Sequence, residues 1–134
     1  MAALQSLHSF SLLIVEDDTA ARDIIANMIS LEFPDCTIFT ANNGIEGLEL
    51  YQQYTPDIVM SDVNLPVMDG IELAREIRTI NGNATYIVLT AYTNQTVFDK
   101  FKDIGVCAYL LKPIDFTELF EAIERCKFES KLQN

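Results

Sequence analysis

Four apolar runs in this chain end in residues able to do chemistry. "LLIVEDD" ends in Glu16, Asp17 and Asp18, and "DIVMSDVNLPVMDG" carries Asp62 and then Asn64. "YIVLTAY" holds Thr90, with Tyr92 two positions on, and "AYLLKPI" sets Lys112 ahead of Pro113. A carboxylate at the rim of a core element is costly unless it is paired, hydrogen-bonded or holding a cation. Carboxylates held close together repel strongly and are tolerable mainly around a hard divalent cation, and Mg²⁺ prefers oxygen ligands with several waters retained. Asp17 and Asp62 are therefore the candidates for direct ligands. Lys112 would add a positive charge opposite the ion, so that the two together offset charge spread over phosphoryl oxygens, and Thr90 would donate a hydroxyl to the same oxygens. Asp62, between metal and lysine, is the candidate nucleophile for an acyl phosphate.

This chemistry requires the four stretches to meet, and the elements carrying them predict that they do. Five β-rich runs, "SLLIV", "TIFTA", "DIVMS", "YIVLT" and "AYLLK", are each followed by a segment with helical spacing. After the first run, Ile24, Ile25, Met28, Ile29 and Leu31 form an apolar face; similar faces run from Ile45, Ile71, Val97 and Phe116. Regular alternation predicts a parallel α/β sheet covered by helices on both sides. Units of about 25 residues suit an open doubly wound sheet, since a βα barrel needs about 250 residues. In such a sheet ligands bind at the carboxyl ends of the strands, where Glu16, Asp17, Asp18, Asp62, Asn64, Thr90, Tyr92, Lys112 and Pro113 fall. "TIFTA", with its threonines, reads as an edge strand, whereas the first, third and fourth runs read as buried on both faces. Pro66 reads as starting the helix after the Asp62 loop, and Gly70 as permitting close packing.

Composition narrows the function. At 134 residues and 49% hydrophobic content, the chain fits one domain, taken here as 1–134 with its core at about 10–128 and tails at 1–9 and 129–134. A net charge of -11 argues against direct binding to nucleic acid or to anionic membrane. The N-terminal stretch lacks a basic region and its apolar run is too short for a signal peptide or a membrane span, so a cytoplasmic location is expected. Cys36, Cys107 and Cys126 are far apart with no C-x-x-C pair, and read as reduced thiols. His8 lies away from every motif.

Over residues of about 10 to 128 the chain resembles the receiver domain of bacterial two-component response regulators. The resemblance rests on "LLIVEDD", "DIVMSDVNLPVMDG", "LTAY" and "AYLLKPI", in that order and each at a strand end. It implies a flavodoxin-like, three-layer fold with strand order 2-1-3-4-5 and five helices. Asp62 would be the phosphoacceptor. Asp17 would bind Mg²⁺ (or Mn²⁺) directly and Glu16 through water, with the Asn64 backbone carbonyl completing the set. Thr90 would turn toward the attached phosphoryl group, Lys112 would pair with it, and Tyr109 would be the aromatic switch that follows Thr90 inward. Pro113 would follow a cis peptide bond that aims Lys112, and Asp18 would cap the first helix. Glu16 stands where the family often has Asp, a change its longer arm tolerates. Tyr92 lies where a bulky side chain can hinder the hydrolytic water and lengthen the phosphorylated lifetime; an unchanged dephosphorylation rate in Tyr92→Ala would refute that.

The implied partners are a histidine kinase or phosphotransfer protein as donor, and an output protein or an effector domain beyond Asn134. Val97, Phe101 and Phe116 either surface as a patch for phosphorylation-linked dimerisation or are buried in the core, and the sequence favours neither. Two other functions compete. One is a phosphorylation-independent interaction module on the same fold. The other is a Mg²⁺-dependent aspartyl-phosphate phosphatase, which would want a general acid two residues past its nucleophile, where this chain has Asn64. A flavin carrier is disfavoured, because "EDDTA" would repel a phosphate.

Overall fold

A computed structural model describes residues 9–91 and 95–133. Five strands, β1 (Phe10–Val15), β2 (Cys36–Ala41), β3 (Ile58–Asp62), β4 (Thr85–Thr90) and β5 (Ala108–Leu111), alternate with five helices. The helices are α1 (Thr19–Glu32), α2 (Gly44–Tyr54), α3 (Gly70–Ile80), α4 (Gln95–Lys102) and α5 (Phe116–Gln133). All strand pairs are parallel, in the order β2-β1-β3-β4-β5, as the alternation and the resemblance imply.

Alternation along each strand divides the core in two. Leu12, Ile14, Ile58, Met60, Ile87 and Leu89 face α1 and α5, where Ile25, Ile29, Leu119 and Ile123 meet them. Leu13, Val15, Val59, Tyr86 and Val88 face the other layer, where Tyr51, Leu73, Ile77 and Phe101 cover them. β1, β3 and β4 are therefore apolar on both faces, and the half-exposed β2 is an edge.

Local sequence explains the helix starts. Asp18, Asn43 and Asp69 each accept a bond from the backbone N–H three residues on, the short polar cap that an orphan first-turn donor requires. The cap expected of Asp18 is thus present. Pro66, in contrast, does not start α3. Its carbonyl accepts the Met68 N–H at 2.8 Å, closing a three-residue turn with Val67 in the middle at φ 72°. Gly70 does permit close packing: a Cβ there would fall 2.2 Å from the Asp62 carbonyl oxygen.

Two further expectations are corrected, on α1 and at the cysteines, and one open alternative is decided. Ile24 and Leu31 are 54% and 77% exposed, because α1 buries only the narrower stripe of Ile25 and Ile29 against the sheet. For Phe101, on α4, the structure decides between surface patch and core: it is a core residue. Cys107 and Cys126 are not separate thiols: packing α5 beside the start of β5 brings them together as a disulfide, and among the described residues Cys36 is the free cysteine. No described helix is long and apolar enough to cross a membrane.

Candidate functional site

Glu16 follows β1 directly, Asp62 ends β3, Thr90 ends β4 and Lys112 follows β5. Parallel pairing places these positions on one edge: Val15 lies opposite Ser61, Asp62 opposite Leu89, and Thr90 opposite Leu111. The Lys112 N–H donates to the Thr90 carbonyl at 2.9 Å, and the Lys112–Pro113 peptide bond is cis.

The lysine bridges two acids. Its Nζ lies 2.7 Å from Glu16 Oε1 and 2.5 Å from Asp62 Oδ2. Glu16 is almost wholly buried, and burial pushes its carboxyl above the ordinary range even though Lys112 pulls the other way. On Lys112 the balance is reversed: burial opposes the charge, but bonds to Asp62 and Glu16 outweigh it and raise the ammonium pKa. Asp62 Oδ1 accepts the Asn64 N–H at 3.2 Å, and Glu16 Oε2 accepts the Asp18 N–H at 3.4 Å. Arg22, which the sequence reading passed over, donates to the Glu16 carbonyl at 2.9 Å and holds the turn after β1.

Carboxylate oxygens of Glu16, Asp17 and Asp62 lie within 4.8 Å of one another. Asp17 is exposed at the rim. Three hard oxygen donors at this spacing fit a hard divalent cation, which keeps several waters beside its few protein ligands. Thr90 is fully buried beneath this edge. Tyr109 is half-buried, its ring edge-on to Phe98 at 4.9 Å and to Phe101 at 6.2 Å. Tyr92 lies outside the described residues.

Sequence reasoning also missed a buried polar pair under the site. Ser61, just before Asp62, hydrogen-bonds to the Tyr86 hydroxyl at 2.5 Å. Both looked like ordinary strand residues; a serine and a tyrosine inside otherwise apolar runs were the signal available.

Comparison with known proteins gives the family and the fold. The response regulator receiver domain, as a family model, matches residues 12–124, and the chain belongs to that family. It is 30% identical over 114 residues to sporulation initiation phosphotransferase F of Bacillus subtilis, covering 85% of this chain and 90% of that protein. With chemotaxis protein CheY of Halobacterium salinarum the identity is 32%, over 83% of this chain and 91% of the relative. Transcriptional regulatory protein PdtaR of Mycobacterium tuberculosis is 37% identical over 84% of this chain, which spans only 54% of PdtaR. Among solved structures, the CheY-like receiver domain protein of Methanospirillum hungatei superposes with a TM-score of 0.86 at 27% identity, over 94% of this chain and 99% of that one. The family is one of signalling domains.

Proposed function

We propose that this domain accepts a phosphoryl group from a phosphohistidine of a histidine kinase or phosphotransfer protein onto Asp62. The observation that carries the reading is the Lys112 ammonium held between Glu16 and Asp62, with Asp17 completing a three-carboxylate cluster at the strand ends. In the transfer an Asp62 carboxylate oxygen forms the new O–P bond while the P–N bond to the donor imidazole breaks, and that nitrogen keeps the electron pair. Lys112, already at hydrogen-bond distance from Asp62, is placed to donate to a phosphoryl oxygen and offset its charge. Glu16, Asp17 and Asp62, with the Asn64 carbonyl, would hold Mg²⁺ (or Mn²⁺), which when bound supplies the remaining positive charge. Thr90 supplies a hydroxyl to the attached group, and Tyr109 follows it.

The phosphorylated form then biases an existing two-state equilibrium that an output partner, or an effector domain in a longer protein, reads. A protein donor is supported by apolar surface beside the site: exposed Ile24 lines a groove shared with Lys112, Pro113 and Phe116. A kinase donor of this kind implies a cytoplasmic setting. The net charge of -11 leaves DNA contact to some other protein or domain.

Intact-mass spectrometry after incubation with Mg²⁺ and a small-molecule phosphodonor tests the reading. One phosphoryl group is expected in the wild type, and none in Asp62→Asn or with a chelator. No adduct under any of these conditions would overturn it in favour of a phosphorylation-independent interaction module.

A further inference from the structure

We propose that Tyr86 is a positioning residue for Asp62: its buried hydroxyl ties Ser61, immediately before Asp62, to Gly70, at the far end of the loop that follows Asp62. The inference rests on the phosphoacceptor reading and adds to it a residue that touches neither metal nor phosphoryl group.

The loop between Asp62 and Gly70 continues the strand that ends in the Asp62 carboxylate and carries the Asn64 backbone, so its slack bears on how far Asp62 can drift from Glu16 and Asp17. Its two ends are close together. The Gly70 N–H donates to the Val63 carbonyl at 2.8 Å, and the Gly70 Cα lies directly against the Asp62 carbonyl. Tyr86 on β4 closes this pair from below. It shares the face of Val59 and Val88, reaches along the sheet toward the strand ends, and places its hydroxyl 2.5 Å from Ser61 Oγ and 3.2 Å from the Gly70 carbonyl.

Proton accounting gives the arrangement one order. A phenol has a single proton and a carbonyl can only accept, so Tyr86 donates to Gly70 and Ser61 donates to Tyr86. Burial pushes the Tyr86 hydroxyl well above the ordinary phenol range, so that proton stays in place. The ring lies against Phe101, which keeps it from swinging away. Ser61 and Tyr86 are both shut off from solvent, where a hydrogen bond is stronger than in water.

Tyr86→Phe keeps the ring and removes the tie. Calorimetric Mg²⁺ titration and amide hydrogen exchange at Val63, Asn64 and Gly70 read its effect, with Ile29→Val as a packing control on the opposite face of the sheet. In Tyr86→Phe, Mg²⁺ affinity is expected to fall about fivefold, the equivalent of one net hydrogen bond. Exchange at the three loop amides should quicken, and phosphorylation by a small donor should slow. Ser61→Ala should show a smaller effect in the same direction, because Tyr86 keeps its bond to Gly70. Ile29→Val should leave Mg²⁺ affinity and loop exchange at wild-type values. Wild-type affinity and exchange in Tyr86→Phe, or an equal loss in Ile29→Val, would overturn the proposal. A wild type that binds Mg²⁺ but takes no phosphoryl group would overturn the phosphoacceptor reading alone, with the affinity and exchange comparison still deciding the role of Tyr86.

Discussion

At the scale of single residues, the site is an electrostatic compromise centred on Lys112. Glu16 is buried to 1% exposure and tolerates its charge because an ammonium sits 2.7 Å away. Removing one partner of such a pair strands the other, at a cost of about 3–5 kcal/mol for a fully buried pair. Lys112 keeps 28% of its side chain exposed, which lowers that cost. Lys112→Met is therefore expected to lose about 2 kcal/mol of stability without metal. Mg²⁺ should restore more stability to the variant than it adds to the wild type, since the ion takes over neutralising the acids. Urea unfolding midpoints with and without Mg²⁺ measure both. An equal Mg²⁺ increment in the two proteins would show that lysine and metal do not share this task.

At the scale of elements, strands place the chemistry and the loops after them aim it. Asp62 stands beside Leu89 and Val15 beside Ser61 because parallel strands in register end together. The loop after β3 contains a feature that local sequence opposes. Val67, a β-branched residue, adopts φ 72° in the middle of its turn while its side chain is 82% exposed. The left-handed region costs an L-residue roughly 1–2 kcal/mol, and an exposed valine gains little packing in return. Val67→Gly should stabilise the domain by about 1 kcal/mol after the greater unfolded-state freedom of glycine is counted. A thermal midpoint no higher than that of the wild type would show that Val67 is held by contacts worth as much as the strain.

At the scale of the whole molecule, the cysteines report how distant segments meet. Cys107 and Cys126 are 19 residues apart in sequence, and closing a loop of that size stabilises a fold by about 3 kcal/mol in the chain-entropy account. Cys36 is different: burial, then the nearby Asp57 charge, pushes its thiol up to about 12. A thiol whose folded pKa is raised makes stability fall as pH climbs above its unfolded value, and leaves almost no thiolate near neutrality. In the folded protein without reductant, maleimide at pH 8 should label slowly, at Cys36 alone. After denaturation one cysteine should label without reductant and three with it, and reduction should lower the thermal midpoint. Three rapidly labelled thiols in unreduced folded protein would contradict both the disulfide and the shielding of Cys36. Disulfides are rare in a reducing cytoplasm, which makes the labelling pattern of freshly isolated protein informative about the compartment as well.

Much of the fold and the charged centre of the site were legible in the sequence, because both depend on local patterns. Runs of apolar residues specify strands, and parallel strands end on one edge of the sheet, so the sequence already implied that Glu16, Asp17, Asp62, Thr90 and Lys112 would gather there. Helix caps such as Asp18 are local too. Tertiary packing decided the rest. It chose Ile25 and Ile29 over Ile24 and Leu31, since a helix buries only the stripe that faces its sheet. It moved the start of α3 from Pro66 to Gly70, where the backbone must pass against Asp62. It joined Cys107 to Cys126, and it brought Tyr86 under Ser61 and Gly70. Those contacts join residues whose separation in sequence carries no period, so only the folded chain could show them.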